Sequence, residues 1–523
     1  MKKKIFLFLV LLLVLFHLPA RDEDLWNYSF RKISSIVSLV EENYFGTIDH
    51  EKMAYSSIRG MLKTLDPHSY FLDPDHFSRL TEEHVGKYYG LGILIQKQED
   101  RLVVISPLEG SPAYRLGIQA GDVISHINGE STKPISSLDA VQKLRGPKGS
   151  KVNITIMREG LQRPIDMTIV RAEIPLHSVP YSFILEDDIG YIYIRNFALT
   201  TTREFEEKME LLIEQGMKKL ILDMRTNGGG AFNQSIEISD EFLPRGALIV
   251  SVRGRNKNFN GEYRAHRNDQ YEKIPLVILI NRGTASAPEI VSGAIKDNDR
   301  GLIVGDNSFG KGMVQRVYPL SPNTALALTT AKYFTPSGRS IQRDYAKLED
   351  WMLRKELPKE KREIKYTSAG RKVLGQGGIS PDYEVKFTIK DVTFRLRLKG
   401  VFFSYARKFT NKETPLSKKF TFPSEKGRKN SGNRRLNKQD FVVDSQVIHD
   451  FKDYLRTIKI DYDSKQFDEA LGEIKRELER EIFSSIWGIE EGTKVFRRSD
   501  PVVMKAMEVF PEASALIETI VKK

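Results

Sequence analysis

A strand–helix–strand unit over residues 189–224 constrains the fold of this chain more than any other feature of its sequence. Residues 189–194 are apolar and typical of a strand. The next helix begins at a capping box, Thr201-x-x-Glu204, and a second buried strand ends shortly before three consecutive glycines. Because two strands joined through a helix pair in parallel, the unit predicts an α/β domain. Functional groups are then expected beyond the carboxyl ends of its strands.

The composition excludes several chemistries and one class of partner. None of the 523 residues is a cysteine, which excludes disulfides, a thiol nucleophile, cysteine-bound zinc and iron–sulfur clusters. The formal net charge is +12, but residues 391–440 alone hold 14 Lys and Arg residues against four Asp and Glu residues. No aromatic stacking pattern runs through this polar window. We therefore interpret it as a solvated linker and do not expect nucleic acid as a partner.

The first 20 residues have the pattern of an export signal. Three lysines are followed by a 14-residue, largely apolar run over residues 5–18, and then by Pro19 and Ala20. The run is shorter than the roughly 20 residues that span a bilayer, so residues 1–20 predict a secretory signal peptide. We expect an exported protein, periplasmic or associated with the cell envelope. An uncleaved signal would instead be a membrane anchor.

Changes in sequence pattern divide the rest of the chain into segments. Apolar residues at helical spacing come first, and short β-type runs separated by Gly and Asn-Gly turns come next, before the strand–helix alternation. The sequence thus predicts an α/β multidomain protein with an inserted β domain and helical N- and C-terminal segments. The predicted parts are an N-terminal helical segment, a β domain, an α/β domain, a basic linker and a C-terminal helical domain, at residues 25–82, 83–172, 173–390, 391–440 and 441–523.

The β segment contains a glycine turn followed by three further signals in order. The turn comprises Gly90, Leu91, Gly92 and Ile93. A Gly-Asp pair at Gly121, an Asn-Gly pair at Asn128 and an apolar helix over residues 138–144 follow it. In this order the segment resembles a PDZ domain, and a plain hairpin turn in an unrelated β domain is the alternative. The resemblance implies that the glycine turn binds a peptide C-terminus. The peptide would add a strand to the sheet edge while backbone N–H groups hold its carboxylate.

Ser286 lies in a small-residue turn between a buried strand, residues 274–280, and an apolar helix. Such a turn exposes the serine oxygen while the free N–H groups of the first helical turn point towards it. Pro288 suits that first turn, because a missing N–H costs little there. On this pattern alone, a helix N-cap is the simpler interpretation of Ser286.

Lys311 lies in a second glycine-rich turn, after a further apolar strand. The turn nearly matches a phosphate-binding loop, but Gly312 stands where a Ser or Thr must bind magnesium, and a strand pattern follows instead of a helix. We therefore do not expect a nucleotide. Because a desolvated lysine can act as a general base, Lys311 together with Ser286 would form a Ser–Lys dyad. The N–H groups of residues 228–230 and of Ala287 are the candidate donors to an oxyanion.

Several sequence pieces, in a fixed order, narrow the function. They are Leu65-Asp66-Pro67-His68-Ser69, the PDZ-like segment, and the pieces at residues 222–230, 283–287, 309–315, 335–339 and 378–382. Together they resemble the carboxyl-terminal processing peptidases, also called tail-specific proteases, over about residues 30–390. Residues 441–523 are similar to the helical tail of that family.

The resemblance implies a crotonase-like catalytic core that cleaves proteins near their C-termini without a metal or nucleotide cofactor. In that family's pattern Ser286 is the nucleophile, Lys311 is the general base, and Gln315 orients the lysine. Gly229 and Ala287 are the implied oxyanion donors. The expected substrates are proteins or peptides with unstructured C-termini, because a packed helix cannot lie as a strand in a narrow cleft.

The sequence departs from the family's pattern in two places. Residues 226–230 replace the usual Asn-Asn-Pro-Gly-Gly without its proline, which predicts a looser loop. This change motivates an alternative function, a catalytically inactive PDZ scaffold that binds C-terminal peptides. Pro288 replaces a smaller residue at the helix entry.

Other enzyme classes fit less well. The nine histidines offer no evident partner for a Ser-His-Asp triad, since His266 is flanked by charged residues. A metal site is not expected, because no metal-binding motif appears. An acyl-transforming crotonase-like enzyme would leave the PDZ-like segment without a role.

Two interactions are left open by the sequence. One face of a C-terminal helix is apolar and would either pack within the chain or form a homodimer through the terminal helices. Its residues are Phe467, Leu471, Ile474, Leu478 and Ile482. The basic window over residues 391–440 would contact an acidic partner or an anionic envelope surface.

Overall fold

The computed structural model describes residues 22–159, 161–267, 271–343, 358–422, 434–435, 438 and 441–521. The expected signal peptide and most of residues 423–440 lie outside these ranges. None of the helices in the described ranges combines the length and the hydrophobicity that crossing a bilayer requires. The chain forms two compact units: Met1–Asp73 with Val317–Leu328, and Pro74–Arg316 with Thr329–Lys523.

Residues 22–73 of the smaller unit form two helices and a short strand. They are Asp22–Asn43, His50–Leu62 and Tyr70–Leu72, and the strand pairs antiparallel with residues 325–327. Between helix and strand, one oxygen of the Asp66 carboxylate accepts hydrogen bonds from the backbone N–H groups of His68 and Ser69, at 2.8 and 2.9 Å. This local turn explains why the helical pattern stops there.

A β domain occupies the first part of the larger unit. Its main antiparallel sheet has the spatial order Ile93–Gln98, Arg101–Pro107, Val123–Ile127, Lys151–Met157 and Ile165–Val170, with Glu130–Ser131 paired to the third strand. A two-stranded ribbon pairs Lys87–Gly90 with Ala172–Pro175, and the helices are Pro74–Val85, Pro112–Arg115 and Ser137–Leu144. Side chains of Val152, Ile154 and Ile156 alternate into the core, as period-two burial of one sheet face requires.

The α/β domain is built on a six-stranded sheet. Its spatial order is Tyr181–Glu186, Ile189–Tyr193, Lys219–Asp223, Leu276–Ile280, Leu302–Gly305 and Tyr383–Glu384. The first pair is antiparallel and all other pairs are parallel, including the pair that the strand–helix–strand pattern predicts. The carboxyl ends of the three central parallel strands therefore lie at one edge of the sheet. The glycine loop, the Ser286 turn and the Lys311 turn follow those three strands.

Helices cover both faces of this sheet. Thr201–Glu214, Phe232–Asp240 and Ala287–Asp297 contribute to the core on one face, and Pro501–Glu508 and Phe510–Val521 contribute to the core on the other. Leu220 and Leu222 point into the first core, and Ile221 points into the second. A strand buried on both faces is apolar throughout, which is why residues 220–222 show no polar alternation.

The start of the first of these helices differs from the expected capping box. The helix begins at Thr201, but Thr200 is its N-cap and makes no side-chain cap hydrogen bond. Thr201 Oγ1 instead accepts from Ala198 N–H at 2.8 Å, and Glu204 accepts from Thr200 Oγ1 at 2.7 Å. The predicted capping box is therefore wrong: the N-cap lies one residue earlier, because Thr201 is engaged by the loop that precedes the helix.

Further strands and short helices complete this part of the chain. The strands are Leu248–Gly254, Gly261–Arg264, Met313–Ser321, Thr324–Phe334, Ile364–Tyr366, Lys372–Leu374, Phe420–Thr421 and Arg434–Arg435. The 3₁₀ helices are Lys257–Phe259, Lys359–Lys361 and Ser417–Lys419. Within the larger unit, residues 251–254 pair antiparallel with residues 331–334.

The C-terminal helices have a separate aromatic core. They are Asp391–Leu398, Val401–Thr410, Ser445–Thr457, Ser464–Glu469, Leu471–Trp487 and Ile489–Arg498. The first two lie where a basic linker was expected. Phe402, Tyr405 and Phe409 are buried in this core, whereas Arg395 and Lys399 are exposed. The two helices are therefore amphipathic, and the number of charges alone did not indicate their apolar face.

The apolar face of the helix Leu471–Trp487 packs within the chain. Ile474, Leu478 and Ile482 are fully buried in the C-terminal core, and Phe467 from the preceding helix joins them. Internal packing, and not a dimer contact, accounts for this face.

Candidate active site

The Ser286 turn connects the strand Leu276–Ile280 to the helix Ala287–Asp297. Ser286 has a φ of +67° and a ψ of −114°, a backbone conformation that residues other than glycine rarely adopt. Its N–H donates to Glu289 Oε2 at 2.8 Å, and its carbonyl oxygen accepts from Tyr333 OH at 3.3 Å. The strained turn is thus held by hydrogen bonds on both sides of one half-buried serine.

The Glu289 carboxylate joins the Ser286 turn to the Lys311 turn. Its side chain is fully buried and accepts from Ser286 N–H at 2.8 Å, Lys311 N–H at 2.9 Å and Gly310 N–H at 2.7 Å. Ser308 Oγ is a fourth donor. Burial raises the pKa of Glu289 above its ordinary value, although the four hydrogen bonds oppose the shift. One buried group therefore fixes the backbone of both turns relative to each other.

Glu289 was not among the predicted site residues, although its sequence context contains a signal. Residues 286–289 read Ser-Ala-Pro-Glu, which is the pattern of a capping box at a helix start. In the structure the glutamate completes its half of that box by accepting from Ser286 N–H. Its contacts with residues 308–311 depend on how the strands are arranged in space, and no local pattern reveals them.

The Lys311 turn follows the strand Leu302–Gly305 and packs against the serine turn through its backbone. Phe309 N–H donates to Thr284 O at 2.8 Å, which ties the two turns together a second time. The strand Met313–Ser321 then follows, where a phosphate-binding loop would need a helix. Lys311 is half-buried.

Gln315 lies on the strand that leaves the Lys311 turn. Its Nε2 donates to Thr329 Oγ1 at 3.2 Å on the adjacent strand Thr324–Phe334, and the side chain is half-buried. That its amide orients Lys311 stays a prediction.

The glycine loop over residues 226–230 lies against the Ser286 turn. Gly229 has a φ of +104°, and a Cβ placed on it would lie 2.9 Å from Ser286 Cβ, so only glycine fits this approach. Asn227 anchors the loop. Its side-chain Nδ2 donates to Ile194 O at 2.9 Å, and its backbone carbonyl oxygen accepts from Ala285 N–H at 2.9 Å. A buried asparagine thus supplies contacts that the sequence, lacking the usual proline, did not predict.

The N–H groups near Ser286 differ in what they contact. Gly229 N–H donates to Asn227 Oδ1 at 2.9 Å. For Gly228 and Ala287, the described part of the chain offers no hydrogen-bond acceptor to the backbone N–H. Within the described ranges, two unpaired donors therefore flank the serine turn, one from the glycine loop and one from the first helical turn.

The PDZ-like glycine turn leads into an edge strand. Gly92 has a φ of +73°, and a Cβ there would lie 2.3 Å from Ser111 Cβ, so the turn requires glycine. Among the described residues, the N–H groups of Leu91 and Gly92 have no acceptor, and the strand Ile93–Gln98 pairs with one neighbour only. The helix Ser137–Leu144 packs beside that strand. The glycine turn and this helix are thus both neighbours of the open-edged strand.

Comparison with known proteins identifies both domains. A family model described as peptidase family S41 matches residues 188–347, and a PDZ domain model matches residues 79–157. A carboxy-terminal-processing protease of Bartonella bacilliformis is 38% identical over 315 residues, which cover 60% of this chain and 72% of that protein. The carboxy-terminal processing protease CtpA of Bacillus subtilis is 32% identical over 334 residues, covering 61% and 70%. A solved photosystem II D1 C-terminal processing protease is 28% identical with a TM-score of 0.37, covering 67% of this chain and 86% of that one.

The two family models and the two protease relatives confirm the resemblance and the fold class that the sequence motifs indicated. The S41 match begins at the first predicted strand and includes both the Ser286 and the Lys311 turns, and the PDZ match includes the glycine turn. The PDZ domain and the relatives support binding of peptide substrates. The chain belongs to the carboxy-terminal processing proteases of peptidase family S41, and it is a serine-type peptidase with a PDZ domain.

Proposed function

We propose that this chain is an exported endopeptidase that cleaves proteins near their C-termini, with Ser286 as nucleophile and Lys311 as general base. The observation that carries the proposal is the buried Glu289 carboxylate, which accepts hydrogen bonds from the backbone of both turns. A nucleophile and its base must be held within hydrogen-bond reach of each other. An acceptor shared by both turns limits how far the backbones of Ser286 and Lys311 can move apart.

In the proposed reaction, the unprotonated amine of Lys311 takes the proton of Ser286 Oγ as this oxygen attacks the scissile carbonyl carbon. The carbonyl oxygen becomes an oxyanion, which backbone N–H donors stabilise. The tetrahedral intermediate then expels the amine of the C-terminal product, which leaves with the proton from Lys311, and an ester to Ser286 remains. Lys311 next takes a proton from water as the water attacks the ester. The bond between the acyl carbon and Ser286 Oγ then breaks, Lys311 returns its proton to that oxygen, and the acid product is released.

The hydrogen bonds of the site support a proposal for the donors to the oxyanion. Ala287 N–H is the donor from the helix, since no described group accepts from it. Gly229 N–H would have to exchange Asn227 Oδ1 for the oxyanion, whereas Gly228 N–H would donate without such an exchange. For Gln315, the Oε1 atom suits an interaction with the lysine amine, because Nε2 already donates to Thr329.

The PDZ domain would capture the tail of the substrate. The N–H groups of Leu91 and Gly92, for which the described residues offer no acceptor, suit a terminal carboxylate. The edge of Ile93–Gln98 that no described strand covers suits an added strand. Such a strand must be extended, so the substrate class is proteins with unstructured C-termini. Export through residues 1–20 would place the enzyme in the periplasm or at the envelope, where a contact of residues 391–440 with an anionic surface is part of the same proposal.

The test is cleavage of an unstructured protein substrate by the purified chain and two variants. Ser286→Ala and Lys311→Ala are each expected to abolish cleavage while still binding a labelled tail peptide, because neither residue is in the PDZ domain. Cleavage that is unchanged in both variants would contradict the dyad, and so would complete inhibition by a chelator.

A catalytically inactive PDZ scaffold is the second candidate. It is favoured by one observation, the engagement of Gly229 N–H with Asn227 Oδ1 beside the serine turn. A tail peptide that binds but is never cleaved over long incubation would support the scaffold. Any cleavage that depends on Ser286 excludes it.

A further inference from the structure

A buried ionic network lies at the end of the strand Lys219–Asp223, directly before the glycine loop. Arg225 is at its centre: NH2 lies 2.6 Å from Asp223 Oδ2, and NH1 lies 2.8 Å from Asp500 Oδ2. The side chain of Asp223 is fully buried, and those of Arg225 and Asp500 are exposed by only 10% and 4%. Arg497 NH1 adds a second cation 3.2 Å from Asp500 Oδ2.

Asp500 reaches this network from the C-terminal segment. It is the N-cap of the helix Pro501–Glu508, and its Oδ1 accepts from Val502 N–H at 2.9 Å. One carboxylate therefore begins a helix with one oxygen and contacts Arg225 with the other. Burial alone would lower the pKa of Arg225, but Asp223 and Asp500 hold this pKa above its ordinary value.

Few residues separate Arg225 from the part of the glycine loop that contacts Ser286, and hydrogen bonds hold their backbone. Arg225 N–H also donates to Asp223 Oδ1 at 3.0 Å, so backbone and side chain are both held at the strand end. Thr226 N–H then donates to Asn281 Oδ1 at 2.8 Å, and Gly229 lies against Ser286 three residues later. The position of the glycine loop relative to the serine thus depends on where Arg225 is held.

We infer that Asp500 is a positioning residue for the cleavage reaction: through Arg225 it holds the glycine loop against Ser286. This inference rests on the proposed function, since it assigns the loop a part in oxyanion binding. Without the charge of Asp500, Asp223 alone would face the two cations Arg225 and Arg497. The excess buried positive charge would draw Arg225 towards water or a new partner, and the loop would move with it. A misplacement of about 1 Å at a reacting group can reduce a rate roughly 100-fold.

The test is Asp500→Asn in the full chain. Asparagine caps helices as well as aspartate does, so the contact with Val502 N–H is kept while the charge that faces Arg225 is removed. We expect kcat for an unstructured substrate to fall about 10- to 100-fold, with KM and the Kd of a labelled tail peptide unchanged. Asp500→Glu, which retains the charge, is expected to recover part of the loss.

Asp444→Asn is the matched control. Asp444 is the N-cap of the helix Ser445–Thr457, accepts from Gln446 N–H at 2.9 Å, and is exposed. An unchanged kcat in folded Asp500→Asn would overturn the inference, and so would an equal fall in Asp444→Asn. If thermal melting shows that Asp500→Asn is unfolded, Arg225→Lys replaces it in the test. Lysine keeps the positive charge but cannot contact both carboxylates, so kcat should fall in the folded variant, and an unchanged kcat would overturn the inference. A Ser286→Ala variant that cleaves at the wild-type rate would instead refute the proposed function, whatever Asp500→Asn does.

Discussion

Replacing Glu289 by glutamine tests whether one buried carboxylate holds the two halves of the site. The carboxylate accepts four hydrogen bonds, two on each oxygen, from Ser286, Lys311, Gly310 and Ser308. Glutamine has a single acceptor oxygen and presents an NH₂ group to the other two donors. Each buried donor left without a partner costs about 1–3 kcal/mol, so Glu289→Gln should lower the free energy of unfolding by about 2–6 kcal/mol. The raised pKa of Glu289 shows that burial disfavours its charged form. Because glutamine is neutral, the substitution removes that cost, and we expect a value near the lower end of this range.

Activity should fall by more than the loss of folded protein explains. Because the Ser286 and Lys311 turns would no longer share one acceptor, we expect kcat to decrease about 100-fold in the folded fraction. Urea unfolding gives the change in stability, and cleavage of an unstructured substrate well below the urea transition gives kcat. Glu204→Gln is the matched control: Glu204 is also a buried acceptor, for Val179 N–H at 3.0 Å, but it contacts neither turn.

A folded Glu289→Gln variant with the wild-type kcat would refute this reasoning. So would a loss of kcat that Glu204→Gln reproduces, because the effect would then follow from general destabilisation.

Two further predictions concern the PDZ domain and the pH dependence of stability. Gly92→Ala should weaken binding of a tail peptide about tenfold by fluorescence anisotropy, because its Cβ would lie 2.3 Å from Ser111 Cβ. Gly110→Ala, with a φ of +72° but no atom within 4 Å of its Cβ, controls for backbone strain alone, and an equal effect there would argue against the clash. Burial alone would raise the pKa of Glu204, but His177, 3.8 Å away, and hydrogen bonds from Val179 N–H and Thr200 Oγ1 lower it from 4.5 to about 2. The stability that Glu204 contributes should therefore be full above about pH 4.5 and be lost as the pH falls through 2, so the melting temperatures of wild type and Glu204→Gln should converge at low pH. A difference that persists at pH 2 would contradict this assignment.

The order of the elements was predictable from sequence because each rests on a local pattern. Buried strands followed by helices fixed parallel pairing, and the glycine turns and the Ser286 turn stand at strand ends, where such groups are expected. The PDZ-like segment was predictable for the same reason, since its Gly-Asp and Asn-Gly pairs occur in order.

The remaining features depend on contacts between distant parts of the chain. Glu289 has a local capping pattern, but its bonds to residues 308–311 exist only because two strands are neighbours. Asp500 contacts Arg225 only after the C-terminal helices pack on the sheet. At residues 391–410 the many basic residues led to the prediction of a solvated linker. The cations of this segment are largely exposed, but its aromatic side chains pack in the C-terminal core.

The dyad is tested most directly by labelling with a serine-reactive fluorophosphonate, followed by peptide mapping. We expect one adduct, on Ser286, formed roughly 10²- to 10⁴-fold more slowly in Lys311→Ala, since general-base assistance contributes about that much. Tail-peptide binding measured on the same samples shows that the variant is folded. An adduct on another residue, or labelling of Lys311→Ala at the wild-type rate, would contradict the assignment of Ser286 and Lys311.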